Sequence, residues 1–160
     1  MDFYAVSIPR VRPSTYLTWF QAAAAARNSG KRLPTNAEWQ VAAFGTPDPG
    51  TDDGTIDCNI APLGDTVSTG SRSACVSDVG AFDMVGNASE WVADWIPRAA
   101  GCSSQYGEDR TCLAGVSGGD PAALVRGGGS GDGSDAGVFA VLGDIPVWGW
   151  YSYLGFRAAR

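Results

Sequence analysis

The sequence predicts an α+β domain with two early helices, short antiparallel strands and many loops. Three observations carry this. Two helix-start patterns lie in the first forty residues, short runs of β-formers lie late in the chain, and 22 glycines and 9 prolines interrupt it. At 160 residues the chain suits one domain, residues 1–160, with its own core.

Taken in order, Phe3–Ile8 is a strand candidate by its β-formers and the following Pro9. Ser14 then offers an N-cap, and Tyr16, Trp19, Phe20, Ala23 and Ala26 follow at helical spacing up to Gly30. This predicts a first helix over about 15–28, whose five alanines favour close packing. Thr35-Asn-Ala-Glu38 is a capping box, in which hydroxyl and carboxylate each accept a backbone N–H at the helix start. A second helix is expected over about 36–44, with Trp39, Val41, Ala42 and Ala43 available for burial. Glu38 therefore reads as a cap and not as a catalyst. Residues 45–79 read as a long loop or a run of short hairpins that needs a disulfide or a bound cation to tie it down. Residues 88–95 form a bulky strand, 97–121 a loop-rich insertion, and 122–126, 137–141 and 155–159 the remaining strand candidates.

Composition removes several function classes. The net charge is −6 and the basic residues are scattered, so nucleic acid is not an expected partner. No apolar run approaches the roughly 20 residues that span a bilayer, so no membrane insertion is expected. There is no histidine, which removes His-based general bases, triads and His-ligated metals. The four cysteines, Cys58, Cys75, Cys102 and Cys112, show no Cys-x-x-Cys spacing. Two disulfides in any of three pairings, or four reduced thiols, are open; the local pairing, 58 with 75 and 102 with 112, closes two short loops and is preferred.

Four segments then carry a resemblance: Lys31-Arg-Leu-Pro-Thr-Asn-Ala-Glu-Trp39, Phe82-Asp-Met-Val-Gly-Asn-Ala-Ser-Glu-Trp91, Val125-Arg-Gly-Gly128 and Gly155-Phe-Arg157. Together they resemble the formylglycine-generating-enzyme/sulfatase-modifying family, which implies a C-type-lectin-like fold. That family's enzymes use a reactive cysteine pair near the final Gly-Phe-Arg, and this chain has no cysteine after Cys112. A related branch of iron-dependent sulfoxide synthases needs histidines. The resemblance therefore implies the fold without either chemistry.

A second resemblance concerns the segment of about 126–157. Arg126-Gly-Gly, Gly133-Ser134, Ala136-Gly-Val-Phe-Ala140 and Gly155-Phe-Arg-Ala-Ala159 resemble the variable region of diversity-generating retroelement proteins. In those, adenine-specific copying errors turn AAC codons into NNC codons, which never encode Lys, Glu, Gln, Met or Trp. Residues 127–156 hold no Lys, Glu, Gln or Met. Trp148 and Trp150 depart from that origin: they are fixed, or differently encoded, or the template here departs from the usual one. The resemblance implies a ligand-binding protein with no catalytic residue. Its variable face comprises Gly131, Asp132, Asp135, Leu142, Asp144, Ile145, Trp148, Gly149, Trp150, Tyr151, Ser152 and Tyr153. Gly133, Ser134, Phe139, Phe156 and Arg157 read as framework.

The expected partner is a macromolecular target, a protein; the sequence leaves the compartment open, a cell or virion surface included. Aromatic rings with glycine and serine suit such a face. Strand alternation at 148, 150 and 152, or at 151 and 153, would instead turn one set inward. The resembled enzymes also bind calcium at the segment matching Val85-Gly-Asn-Ala-Ser-Glu90. This implies Asn87 and Glu90 side chains, with carbonyls of Val85 and Ala88, as structural Ca2+ ligands. Asn59-Ile60 faintly matches a second such site. Arg126 and Arg157 are expected to pair with carboxylates of the framework. Two alternatives are weighed against the binding reading. One is an oxidase of unrecognised activity using Cys102 and Cys112, and the other is a calcium-dependent lectin-type module.

Overall fold

The computed structural model describes residues 10–61 and 64–160, so the strand expected at Phe3–Ile8 lies outside them. Among the described residues two helices, α1 (Trp19–Asn28) and α2 (Asn36–Ala43), precede six strands: β1 (Ser89–Pro97), β2 (Gly101–Tyr106), β3 (Asp109–Ala114), β4 (Pro121–Arg126), β5 (Val141–Leu142) and β6 (Leu154–Phe156). They form one sheet in the order β2-β3-β5-β4-β1-β6. The sheet is mixed and not purely antiparallel, because β6 runs parallel to β1 and β5 parallel to β3.

Both helices begin with a capping box. In α2 the Thr35 hydroxyl accepts from Glu38 N–H, and the Glu38 carboxylate accepts from Thr35 N–H at 2.8 Å, as the spacing predicts. In α1 the cap is Thr18, with Gln21 reaching back, and not Ser14. The chain before Thr18 is held out of helical geometry. Tyr16 sits at φ 57° and donates its N–H to the Tyr151 carbonyl.

The sheet separates two apolar layers. On one face, Ala22, Ala23 and Ala26 of α1 pack with Leu33, Trp91, Ala123, Val125, Val147 and Leu154. On the other, Trp39, Ala42 and Ala43 of α2 pack with Met84, Val92, Leu124 and Val141. Trp91/Val92 on β1 and Ala123/Leu124/Val125 on β4 alternate between these layers, following the period of two. The alanines let α1 lie close to the sheet. Val41, expected to be available for burial, points outward at 57% exposure.

The assignments at 97–121 and 137–141 change, whereas 45–79 is a loop as the sequence predicts. The 97–121 insertion is the hairpin β2–β3, hidden in the sequence because β2 is polar and largely exposed and β3 buries polar Asp109 and Thr111. The 137–141 strand shrinks to Val141–Leu142, because residues 137–140 close a tight turn with Ala140 N–H bonded to the Gly137 carbonyl. Residues 45–79 contain no helix or strand among the described residues. They are tied down by the Cys58–Cys75 disulfide and by Asp53, whose carboxylate accepts the N–H groups of Thr55, Ile56 and Asp57. The second disulfide joins Cys102 to Cys112 across the β2–β3 hairpin. Both bridges follow the local pairing.

Candidate functional site

The segment 131–153 leaves β4 through Gly127–Ser130, makes a 3-10 turn at Gly133–Asp135, contributes β5, and returns to β6. Main-chain groups hold much of it. Gly133 N–H donates to the Ile60 carbonyl at 2.8 Å, and Gly143 N–H to the Cys112 carbonyl at 2.9 Å. The Asp144 carbonyl accepts from Arg98 Nε at 2.8 Å. The carbonyls of Val147, Tyr151 and Tyr153 accept from the N–H groups of Trp19, Tyr16 and Ser89. Such bonds read the backbone of the segment and not its side chains.

The side chains left free are those of a contact surface. Trp148 and Trp150 are 54% and 60% exposed, and Tyr151 and Tyr153 are 38% and 40% exposed. Gly131 and Ser152 are also exposed, and Asp132, Asp135, Leu142 and Asp144 are half-buried. The Tyr151 and Tyr153 rings stack with centroids 5.3 Å apart. No inward set exists among residues 148 and 150–153, because this stretch is a succession of turns and not a strand. Two residues assigned to the face do not belong to it. Ile145 is buried in the layer containing Trp91, Val147 and Leu154. Gly149 is buried too, and a Cβ there would lie 3.0 Å from the Pro146 carbonyl oxygen.

The surface also extends beyond the segment. Tyr16 lies 6.0 Å from Trp150, and Trp19, Phe20 and Trp95 form an edge-to-face trio, of which Phe20 and Trp95 are 51% and 43% exposed. Phe139, assigned to the framework, is 48% exposed beside Tyr106. Sequence reasoning missed Phe20 and Tyr106 as surface groups. Phe20 lies off the buried Ala22-Ala23-Ala26 stripe of α1, a signal available at helical spacing.

Beneath the face, two carboxyl groups grip its backbone. Asp109 accepts from Phe139 N–H at 2.6 Å, and Asp48 accepts from Val138 N–H at 3.3 Å. Burial, with the adjacent Asp48, pushes the Asp109 carboxyl up to about 6. Burial also raises Asp48. A proton on the pair is favoured, because burial disfavours the charged form of each group and the Asp48 charge adds to this at Asp109.

The Asn87/Glu90 region is a structural knot. Glu90 Oε1 accepts from Arg157 Nη2 at 2.6 Å, and Glu90 Oε2 accepts from Arg157 Nε at 2.5 Å and Trp39 Nε1 at 2.7 Å. Asn87 Oδ1 accepts from Val67 N–H and Asn59 Nδ2. The Glu90 oxygens are thus taken by Arg157 and Trp39, and Asn87 Oδ1 by Val67 and Asn59, so as arranged these two side chains do not fit a calcium ion, and the Arg157 guanidinium supplies the positive charge. Gly86, at φ 73°, lets this turn approach the 59–60 main chain; a Cβ would lie 2.4 Å from the Asn59 carbonyl oxygen. Arg157 has the carboxylate partner expected of it. Arg126 does not: it lies over the Trp39 ring and bonds Gln40 and the Val138 carbonyl.

The sulfatase-modifying factor enzyme 1-like domain model matches residues 5–160. The chain belongs to that family. It is 35% identical over 101 residues to the formylglycine-generating enzyme of Thermomonospora curvata, covering 52% of this chain and 33% of that protein. It therefore spans about a third of the length of this curated relative. Among solved structures, the Major Tropism Determinant M1 variant superposes with a TM-score of 0.63 at 22% identity, over 89% of this chain and 37% of that one. Treponema denticola variable protein 1 gives 0.61 at 19% identity, over 92% and 70%. At those identities the likeness shows the fold, which is C-type-lectin-like and is shared with variable proteins of diversity-generating retroelements.

Proposed function

We propose that this family member is the ligand-binding variable protein of a diversity-generating retroelement and presents its 131–153 face to a macromolecular target, a protein. The observation that carries this reading is the division between main chain and side chain. Fixed elements bind the segment through its carbonyls and N–H groups, while Trp148, Trp150, Tyr151, Ser152 and Tyr153 project outward. Substitution there leaves the anchoring bonds in place. Large rings at low rotamer cost, among glycine and serine, are the composition of a paratope.

Binding, and not catalysis, is the role proposed. All four cysteines are in disulfides, so none offers the thiolate that thiol oxidation chemistry requires. Cys102, Cys112 and Asp144 lie close together, yet the two sulfurs are bonded to each other.

The test is a transplant. Replacing the outward side chains of 148 and 150–153 with those of a sister variant should keep the urea midpoint and change the captured target. Loss of the fold, or capture of the same target with unchanged affinity, would overturn the reading.

A further inference from the structure

A cavity of about 140 Å³ opens beside the stacked tyrosines. Asp132, Asp135 and Asp144 supply its carboxylates, Tyr153 an aromatic wall, and Leu142 an apolar patch. A void near 150 Å³ holds a group the size of benzene, so this one admits the head of a single long side chain. Three aspartates line it, with one cation, Arg110. Arg110 comes only within 3.8 Å of Asp135 and makes no hydrogen bond among the described residues. The cavity thus keeps an excess of negative charge.

Its carboxylates are also incompletely used. Asp132 Oδ2 accepts from Gly129 N–H at 2.7 Å, which fixes the side chain in place. Asp144 Oδ1 is buried and has no hydrogen-bond partner among the described residues. A cation in the cavity would offset the charge that this carboxylate carries without a donor. The Tyr153 phenol reports the same field: burial raises it first, followed by Tyr151, Asp132 and Asp144.

We propose that this cavity receives an arginine side chain presented by the protein partner. A guanidinium is planar, stacks on an aromatic face and donates in a fork to carboxylates. Its stem would lie along Leu142. The inference rests on the binding reading above and names the chemistry of one contact within it.

The probe is N-acetylarginine methylamide, titrated into the full chain and followed by backbone amide NMR, with N-acetylcitrulline methylamide as the neutral isostere. Arginine should shift the amides of 132–135, 142–144 and 153 saturably, and citrulline should not. Asp144→Asn and Asp135→Asn, which preserve shape, should each weaken binding about tenfold, the worth of one charge-assisted bond. Equal shifts with citrulline, no saturable shift, or undiminished binding in the double variant would overturn the proposal. The two readings fail separately. If arginine is not bound while the transplant still changes the target, the cavity assignment alone falls. If arginine is bound and the transplant changes nothing, the variable-face reading falls.

Discussion

The turn at residues 83–91 and the segment 131–153 lie side by side and hold their shapes by opposite means. The first depends on its side chains. Glu90 binds Arg157 and Trp39, and Asn87 binds both Val67 and Asn59, all in buried surroundings. The second depends on its main chain, and its largest side chains face solvent. Mutational tolerance should follow this difference. A segment held through carbonyls keeps its path when side chains change, whereas a knot of paired charges does not.

The largest effect should come from breaking the knot. Glu90→Ala leaves the Arg157 guanidinium buried and unpaired, and should cost about 3–5 kcal/mol in urea unfolding. Removing the Cys58–Cys75 bridge by a double serine variant should cost about 2–4 kcal/mol, because the 45–79 loop has no helix or strand to replace it among the described residues. Thr35→Ala removes one cap of α2 and should cost about 1 kcal/mol. Trp148→Ser, Trp150→Ser and Tyr151→Ser should each stay within about 0.5 kcal/mol of the parent while weakening target capture. A loss of stability at these three as large as that of Glu90→Ala would erase the contrast.

The carboxyl pair under the face sharpens the comparison through pH. The folded state holds Asp109 protonated up to about 6, above its ordinary value of 3.8. Its contribution to stability is therefore complete below about pH 4 and is lost as pH rises through 6. Asp109→Asn should flatten that part of the stability profile. Glu38 acts in the opposite sense. Its bonds to Arg32 hold it down at about 2, so its contribution is present above pH 4.5 and lost as pH falls through 2. Urea midpoints across pH 2–7 for Asp109→Asn and Glu38→Gln would separate the two. An unchanged slope between pH 4 and 6 in Asp109→Asn would show that Asp109 takes up no proton on folding in that range.

The sequence by itself determined what depends on near neighbours. The Thr35–Glu38 box, α2 and the end of α1 were legible because a capping bond spans three residues and a helix repeats every 3.6. The bulky strand at 88–95 and the exposure of Trp150 and Tyr151 were legible too. Tertiary structure alone decided what depends on distant partners. Glu90 meets Arg157 across 67 positions, and Phe139 meets Asp109 across 30. The polar hairpin β2–β3 lacks an alternating pattern to announce it. Ile145 and Gly149 turned inward, against expectation, because the segment follows no period and its course is set by the elements that bind its backbone. Local hydrogen bonds are written in spacing along the chain. Burial is written in which surfaces meet, and that is known only once the chain has folded.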